Sequence, residues 1–322
     1  MITRYRLALS TNLHNIINYS GVAKAKLQLV STNRLSSKTI NQIQTINQGI
    51  KNNETFYNLT LNTSNGAKGV SLGNGYELTI LNLLALESGD IRLTGEAQIV
   101  QSGLVGNPIS GTGKIYRDQQ GTKSSFNYNY WSSPVSSNGI NYTINDVLRD
   151  GTDVTTTPFN PTTINFGASP YFADGVLSNP INISDYWLFK YTSISTAYAD
   201  WQHVGSAGTI KVGEGFTMKG TDGTANITDS QNYVFAGKPN NGTITLNISP
   251  NQTYLVGNPY PSALDADEFI KDNIKDGAGR NATNVINGAL YFWNHFAGQT
   301  HVLASYIGGY ASFTLMGWGN NI

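Results

Sequence analysis

The chain of 322 residues has no cysteine. That excludes disulfides, thiolate metal sites and cysteine nucleophiles, and it leaves the fold to be held by core burial. Charge is scarce as well, at 12% of residues against about 25% in typical soluble proteins. Twenty basic residues offset twenty acidic ones, so no net field draws in a phosphate backbone or an anionic bilayer, and nucleic acid is not an expected partner. No apolar run approaches the roughly 18 residues that span a bilayer. The N-terminal apolar stretch Leu7 to Leu9 is too short for the apolar region of a signal peptide, so any export information is expected outside this chain. Only four histidines are present. His295 and His301 are neighbours in sequence without a third His or Cys nearby, short of the three protein ligands that catalytic zinc ordinarily takes.

Turn formers and aromatics fill the space that charge leaves. Asn occurs 37 times, Gly 34, Tyr 18 and Phe 12. Asn and Gly accept turn geometries at little cost, and aromatic rings suit pleated, half-buried surfaces, so the composition predicts many short strands joined by many turns. The expected fold class is all-β.

Three regions are expected along the chain. Residues 1–53, rich in Ser, Asn, Gln and Lys, fit neither strand nor helix periodicity. Over 54–120, segments such as Phe56-Tyr-Asn-Leu-Thr-Leu61, Tyr76-Glu-Leu-Thr-Ile-Leu81 and Asp90-Ile-Arg-Leu-Thr94 alternate apolar with polar residues between Gly and Asn turns. That rhythm suits the stacked coils of a β-helix or solenoid, or equally a small sandwich. From 121 to 322, aromatic strands such as Phe126-Asn-Tyr-Asn-Tyr-Trp131, Asp185-Tyr-Trp-Leu-Phe189 and Leu290-Tyr-Phe-Trp293 alternate with turn signals, which predicts an antiparallel β-sandwich of jelly-roll type. Two short helices are expected at capping boxes, Thr143-Ile-Asn-Asp146 and Ser262-Ala-Leu-Asp265.

Four blocks carry a resemblance: Tyr130-Trp-Ser-Ser-Pro-Val135, Gly213-Glu-Gly-Phe-Thr-Met-Lys-Gly220, Phe235-Ala-Gly-Lys-Pro-Asn-Asn-Gly242 and Leu255-Val-Gly-Asn-Pro-Tyr-Pro-Ser-Ala-Leu-Asp-Ala-Asp-Glu-Phe-Ile270. In this order, followed by Leu290-Tyr-Phe-Trp293, they resemble the region near the C-terminus of very large flavobacterial (Bacteroidetes) proteins exported by the type IX secretion system. The resemblance covers roughly residues 56 to 316. It implies a non-enzymatic, extracellular or cell-surface, adhesin-like module, with the secretion machinery engaged by regions outside this chain. Such proteins usually end in a sorting domain, and none follows Ile322, so the chain is expected to be an internal or truncated portion.

Tyr and Trp faces stack on the apolar faces of sugars while Asn and Asp satisfy their hydroxyls. Trp187, Trp201 and Trp318 are therefore the candidate platforms for surface glycans or other extracellular polymers, whereas Trp131 and Trp293, within dense aromatic strands, read as core. Asp265, Asp267 and Glu268 form the densest acidic cluster and are the candidate ligands for calcium, the one cofactor considered. The same carboxylates also suit the first turn of a helix. No catalytic residue is assigned. The alternative function is a carbohydrate-active enzyme, glycoside hydrolase or polysaccharide lyase, or its binding module, which would need a pair of carboxylates. Glu87, Asp90, Glu96 and Glu214 are available, but most adjoin glycine in turn contexts and read as solvated turn residues.

Overall fold

A computed structural model of the chain describes residues 53–62, 69–102, 106–155, 159–167, 175, 178–193, 200–248, 252–275 and 280–319, together with short strands at 6–7, 18–19 and 37–40. The predicted N-terminal segment 1–53 thus lies almost wholly outside the described residues. The architecture is all-β, with two α-helices among the described residues, α1 (Ile144–Val147) and α2 (Ala266–Asn273).

Parallel pairing decides between the two readings of the 54–120 rhythm. Ser37–Ile40, Glu54–Asn62, Glu77–Ser88 and Gln98–Gln101 form one parallel sheet. Val70–Leu72, Ile91–Leu93 and the start of Ile115–Thr122 pair in parallel in a second. Successive coils therefore stack, and the alternation seen in sequence places like over like. Val70 lies over Ile91 and Ile91 over Ile115, Leu72 over Leu93, and Leu78 over Ile99, all of them buried.

The turns stack too. Asn53 accepts from the Glu77 N–H, Asn74 from that of Glu96 and Asp90 from that of Lys114, each at 2.8 to 2.9 Å. One coil's side chain thus satisfies the next coil's backbone. Gly95, at φ 57°, sits so close to the Asn74 carboxamide that a Cβ there would meet its oxygen at 2.3 Å.

Ile115–Thr122 is the strand on which the architecture changes. One edge is parallel to Ile91–Leu93 and the other antiparallel to Ser230–Pro239. A mixed sheet results, running Thr162–Thr163, Leu148–Asp150, Ser230–Pro239, Ile115–Thr122, Ile91–Leu93, Val70–Leu72. The expected boundary after residue 120 falls inside this strand, and a single buried apolar cluster extends from Leu59 to Phe235. Lys238 reinforces the junction, since its ammonium donates to the carbonyls of Leu86, Ser110 and Gly113.

A second sheet, Tyr128–Trp131, Phe216–Lys219, Phe189–Ser193, Trp201–His203, packs face to face with the mixed sheet. Trp131 bridges them, with its ring 5.1 Å from Tyr233, 5.7 Å from Phe235 and 6.5 Å from Phe216. This is the sandwich-like part of the fold.

A third sheet combines Ala289–Ala297, Ile307–Thr314 and Gly317–Trp318, with Arg6–Leu7 on its far edge. α2 covers one face of it, burying Phe269 and Ile270 with Leu290. The capping of α2 differs from the expectation. Asp265, read as the acidic residue three after Ser262 in a capping box, is itself the N-cap and accepts from the Glu268 N–H at 3.0 Å. At α1, Thr143 is the N-cap but makes no capping bond, its hydroxyl donating instead to Asn145.

The resembling blocks meet around one buried side chain. Asn240 donates to the carbonyls of Ser133 (3.1 Å) and Pro259 (2.9 Å) and accepts from the Ser136 hydroxyl (2.7 Å). Glu214, from the remaining block, is 3% exposed rather than a solvated turn residue. It accepts from the Lys211 N–H (2.8 Å) and the Tyr254 hydroxyl and lies 3.6 Å from the Lys190 ammonium. These contacts replace the water that a surface carboxylate would have had.

Candidate functional site

The strand Tyr128–Trp131 alternates strictly, which sends Asn129 and Trp131 to the sandwich interior and Tyr128 and Tyr130 to the opposite face. Its antiparallel register sets Tyr128 against Lys219. The third sheet closes over that face. The Tyr306 hydroxyl donates to the Phe126 carbonyl at 2.6 Å, and His295 Nδ1 lies 3.0 Å from Asn127 Oδ1. Between the two sheets remains an open cleft of about 250 Å³ lined by Asn127, Tyr128, Tyr130, Trp293, His295 and Tyr306.

The rings of the cleft are fixed from below. His295 lies flat on Tyr306, centroids 4.3 Å apart at 14°. Lys219, 1% exposed, places its ammonium 3.8 Å from the Trp187 ring centre, 4.7 Å from that of Tyr128 and 2.9 Å from His301 Nδ1. His301 stacks on Trp187 at 5.1 Å. A buried cation held on aromatic faces is a strong orienting contact, so Lys219 and Trp187 hold the Tyr128 ring of the wall in place from behind. Trp293 lies against Gly308, where a Cβ would come within 2.3 Å of the indole. Glycine at that position lets the ring lie across the neighbouring strand.

Residues 30–317 match the family described as "Domain of unknown function (DUF8693)". The chain belongs to this family. No curated protein and no solved structure matches the chain.

The three predicted tryptophans do not converge. Trp187 supports the cleft from behind. Trp201 stands on the opposite edge of its sheet, 4.8 Å from Tyr191. Trp318, 54% exposed, packs on Phe292 and Phe313, on the face of the third sheet that α2 covers. Trp293, read as core, is instead half-buried and lines the cleft. Sequence reasoning passed over Asn127, Tyr128, Tyr130 and Tyr306, and weighed His295 as a metal ligand alone. The signal for most of them was present in two alternating runs, Asn127-Tyr-Asn-Tyr130 and Tyr291-Phe-Trp-Asn-His295, each of which puts every second ring on one strand face.

The acidic cluster is taken up by the protein's own groups. Asp265 caps α2. Glu268 pairs with Lys271 at 2.9 Å and Arg280 at 3.1 Å. The hydrogen bond from Lys271, with the charges of Lys271 and Arg280, holds the Glu268 carboxyl below its ordinary range. Asp267 is exposed in the first turn. Among the described residues no three His, Asp or Glu side chains are grouped to hold a metal.

Of the carboxylates considered for catalysis, Glu87 and Glu96 are exposed. Asp90 is half-buried, and burial raises its pKa. Gly69-Val-Ser-Leu-Gly73 has the lettering of a nucleophile elbow, which sequence reasoning also missed. Ser71, however, sits mid-strand in the solenoid, paired with Arg92 in parallel, and not at a strand-to-helix turn.

Proposed function

We propose that the chain is a non-enzymatic, extracellular adhesion module that binds glycans in the cleft between its second and third sheets. The observation that carries this reading is the set of half-buried rings Tyr128, Tyr130, Trp293 and Tyr306 around one opening, with Asn127 and His295 among them. Rings give flat apolar area that matches the apolar face of a sugar. Among the described residues that line the cleft there is no carboxylate, whereas glycoside hydrolysis ordinarily uses two. That favours capture over cleavage. No helix among the described residues is long and apolar enough to cross a membrane. The resemblance to type IX secreted flavobacterial surface proteins supplies the location, and display in many copies would turn weak single contacts into firm attachment.

The test is a glycan array probed with the intact chain and with Trp293→Ala, each checked by thermal melting. Signal from the intact chain that falls at least tenfold in the variant, with melting preserved, is expected. Equal signal from both proteins, or none from either, contradicts the reading.

A further inference from the structure

The cleft volume, about 250 Å³, lies below the roughly 300 to 1,000 Å³ of sites that enclose a whole drug-sized ligand. It takes about one sugar ring, and whatever is joined to that ring must leave through the open side. The aromatic surface continues there. Trp293 is directly opposite Tyr310 in the antiparallel register, so both side chains share a face, and their rings are 5.0 Å apart. Tyr291, two residues before Trp293, is on the same face and paired across the strands with Ser312. Same-face neighbours on a strand are roughly 7 Å apart. Tyr310 and Tyr291 are 47% and 42% exposed, and Asn287 donates to the Tyr291 hydroxyl at 3.0 Å.

We propose that the cleft is the closed end of a longer subsite row, Trp293, Tyr310 and Tyr291, that binds a polysaccharide chain across at least three consecutive rings. This rests on the glycan reading given above and adds the ligand's length. Continuity with the cleft through the shared Trp293 ring fixes where the chain runs.

Calorimetric titration of the full chain with glucose through cellohexaose, and in parallel with maltose through maltohexaose, tests this. In one of the two series, affinity should rise at least tenfold from one ring to four and then level. The combined Tyr291→Ala and Tyr310→Ala variant should lose that rise, since a well-placed aromatic contact supplies about a two- to tenfold gain. Both tyrosines are exposed, and the single Tyr291→Phe variant, which keeps the ring, should retain the rise and so separates ring stacking from folding damage. A flat series overturns the row while leaving the cleft reading intact. Binding of a decaproline peptide in place of any sugar overturns the ligand class, because tyrosine-lined grooves also take polyproline. If no carbohydrate binds, the glycan reading itself fails and the row with it.

Discussion

The solenoid coils and the aromatic sheets solve the same problem, many short strands from a poorly charged sequence, with different side chains. In the solenoid, Leu72, Leu78, Ile80, Ile91 and Leu93 are at most 1% exposed, each paired with an apolar residue of a neighbouring coil. Asn and Asp side chains serve the next coil's backbone, so little chemistry is left over for a partner. In the aromatic sheets the rings are too large to be fully enclosed on both strand faces. Tyr128, Tyr130, Trp293 and Tyr306 are left half-buried around an opening. Complete burial gives a scaffold, and incomplete burial of rigid rings gives a surface that can bind.

The largest effect that would sharpen this contrast is in the solenoid. Ile80→Ala removes a fully buried side chain from the stack and is expected to cost about 3 to 4 kcal/mol in a denaturant titration, with no change in glycan affinity of the folded fraction. Asn240→Ala should follow at about 2 to 3 kcal/mol, because the carbonyls of Ser133 and Pro259 and the Ser136 hydroxyl lose a buried partner. The contrast reverses at Gly308. An added methyl there meets both the Trp293 indole and the Asn294 carbonyl oxygen, the latter at 2.6 Å, so Gly308→Ala is expected to weaken glycan binding about tenfold, or about 1.4 kcal/mol, and to lower the melting temperature as well. Smallest is Asp265→Ala, which removes the N-cap of α2 at a cost of about 1 kcal/mol. Calcium should leave the melting temperature of both the parent and this variant unchanged. A calcium-dependent rise in the parent alone would restore the metal reading of Asp265, Asp267 and Glu268.

The strands were legible in the sequence because alternation is local. Phe56 to Leu61 and Tyr76 to Leu81 announce strand faces in their own residues. Whether those strands pair in parallel with the next coil or antiparallel with a hairpin partner is set by contacts across more than twenty residues, which alternation does not encode. The same limit governed the site. Tyr128 and Tyr306 are far apart in sequence and meet only because the third sheet folds over the second. Trp187, Trp201 and Trp318 were chosen as separate large rings, whereas the cleft is built from smaller ones that converge. Trp293 was misread because a dense aromatic run suggests burial, while Gly308 on the facing strand leaves its ring at the opening. Glu214 was misread in the opposite sense, its flanking glycines suggesting solvent where Lys190, Lys211 and Tyr254 enclose it.

The five tryptophans allow one direct measurement, since each indole N–H gives its own resonance and the five sit in different places. Trp131 is at the sandwich interface, Trp187 behind the cleft, Trp293 in its wall, and Trp201 and Trp318 on distant edges. Titration with the best-binding oligosaccharide should shift the Trp293 signal most and Trp187 less, leaving Trp131, Trp201 and Trp318 in place. A shift centred on Trp201 or Trp318, with Trp293 unmoved, would contradict the cleft as the binding site.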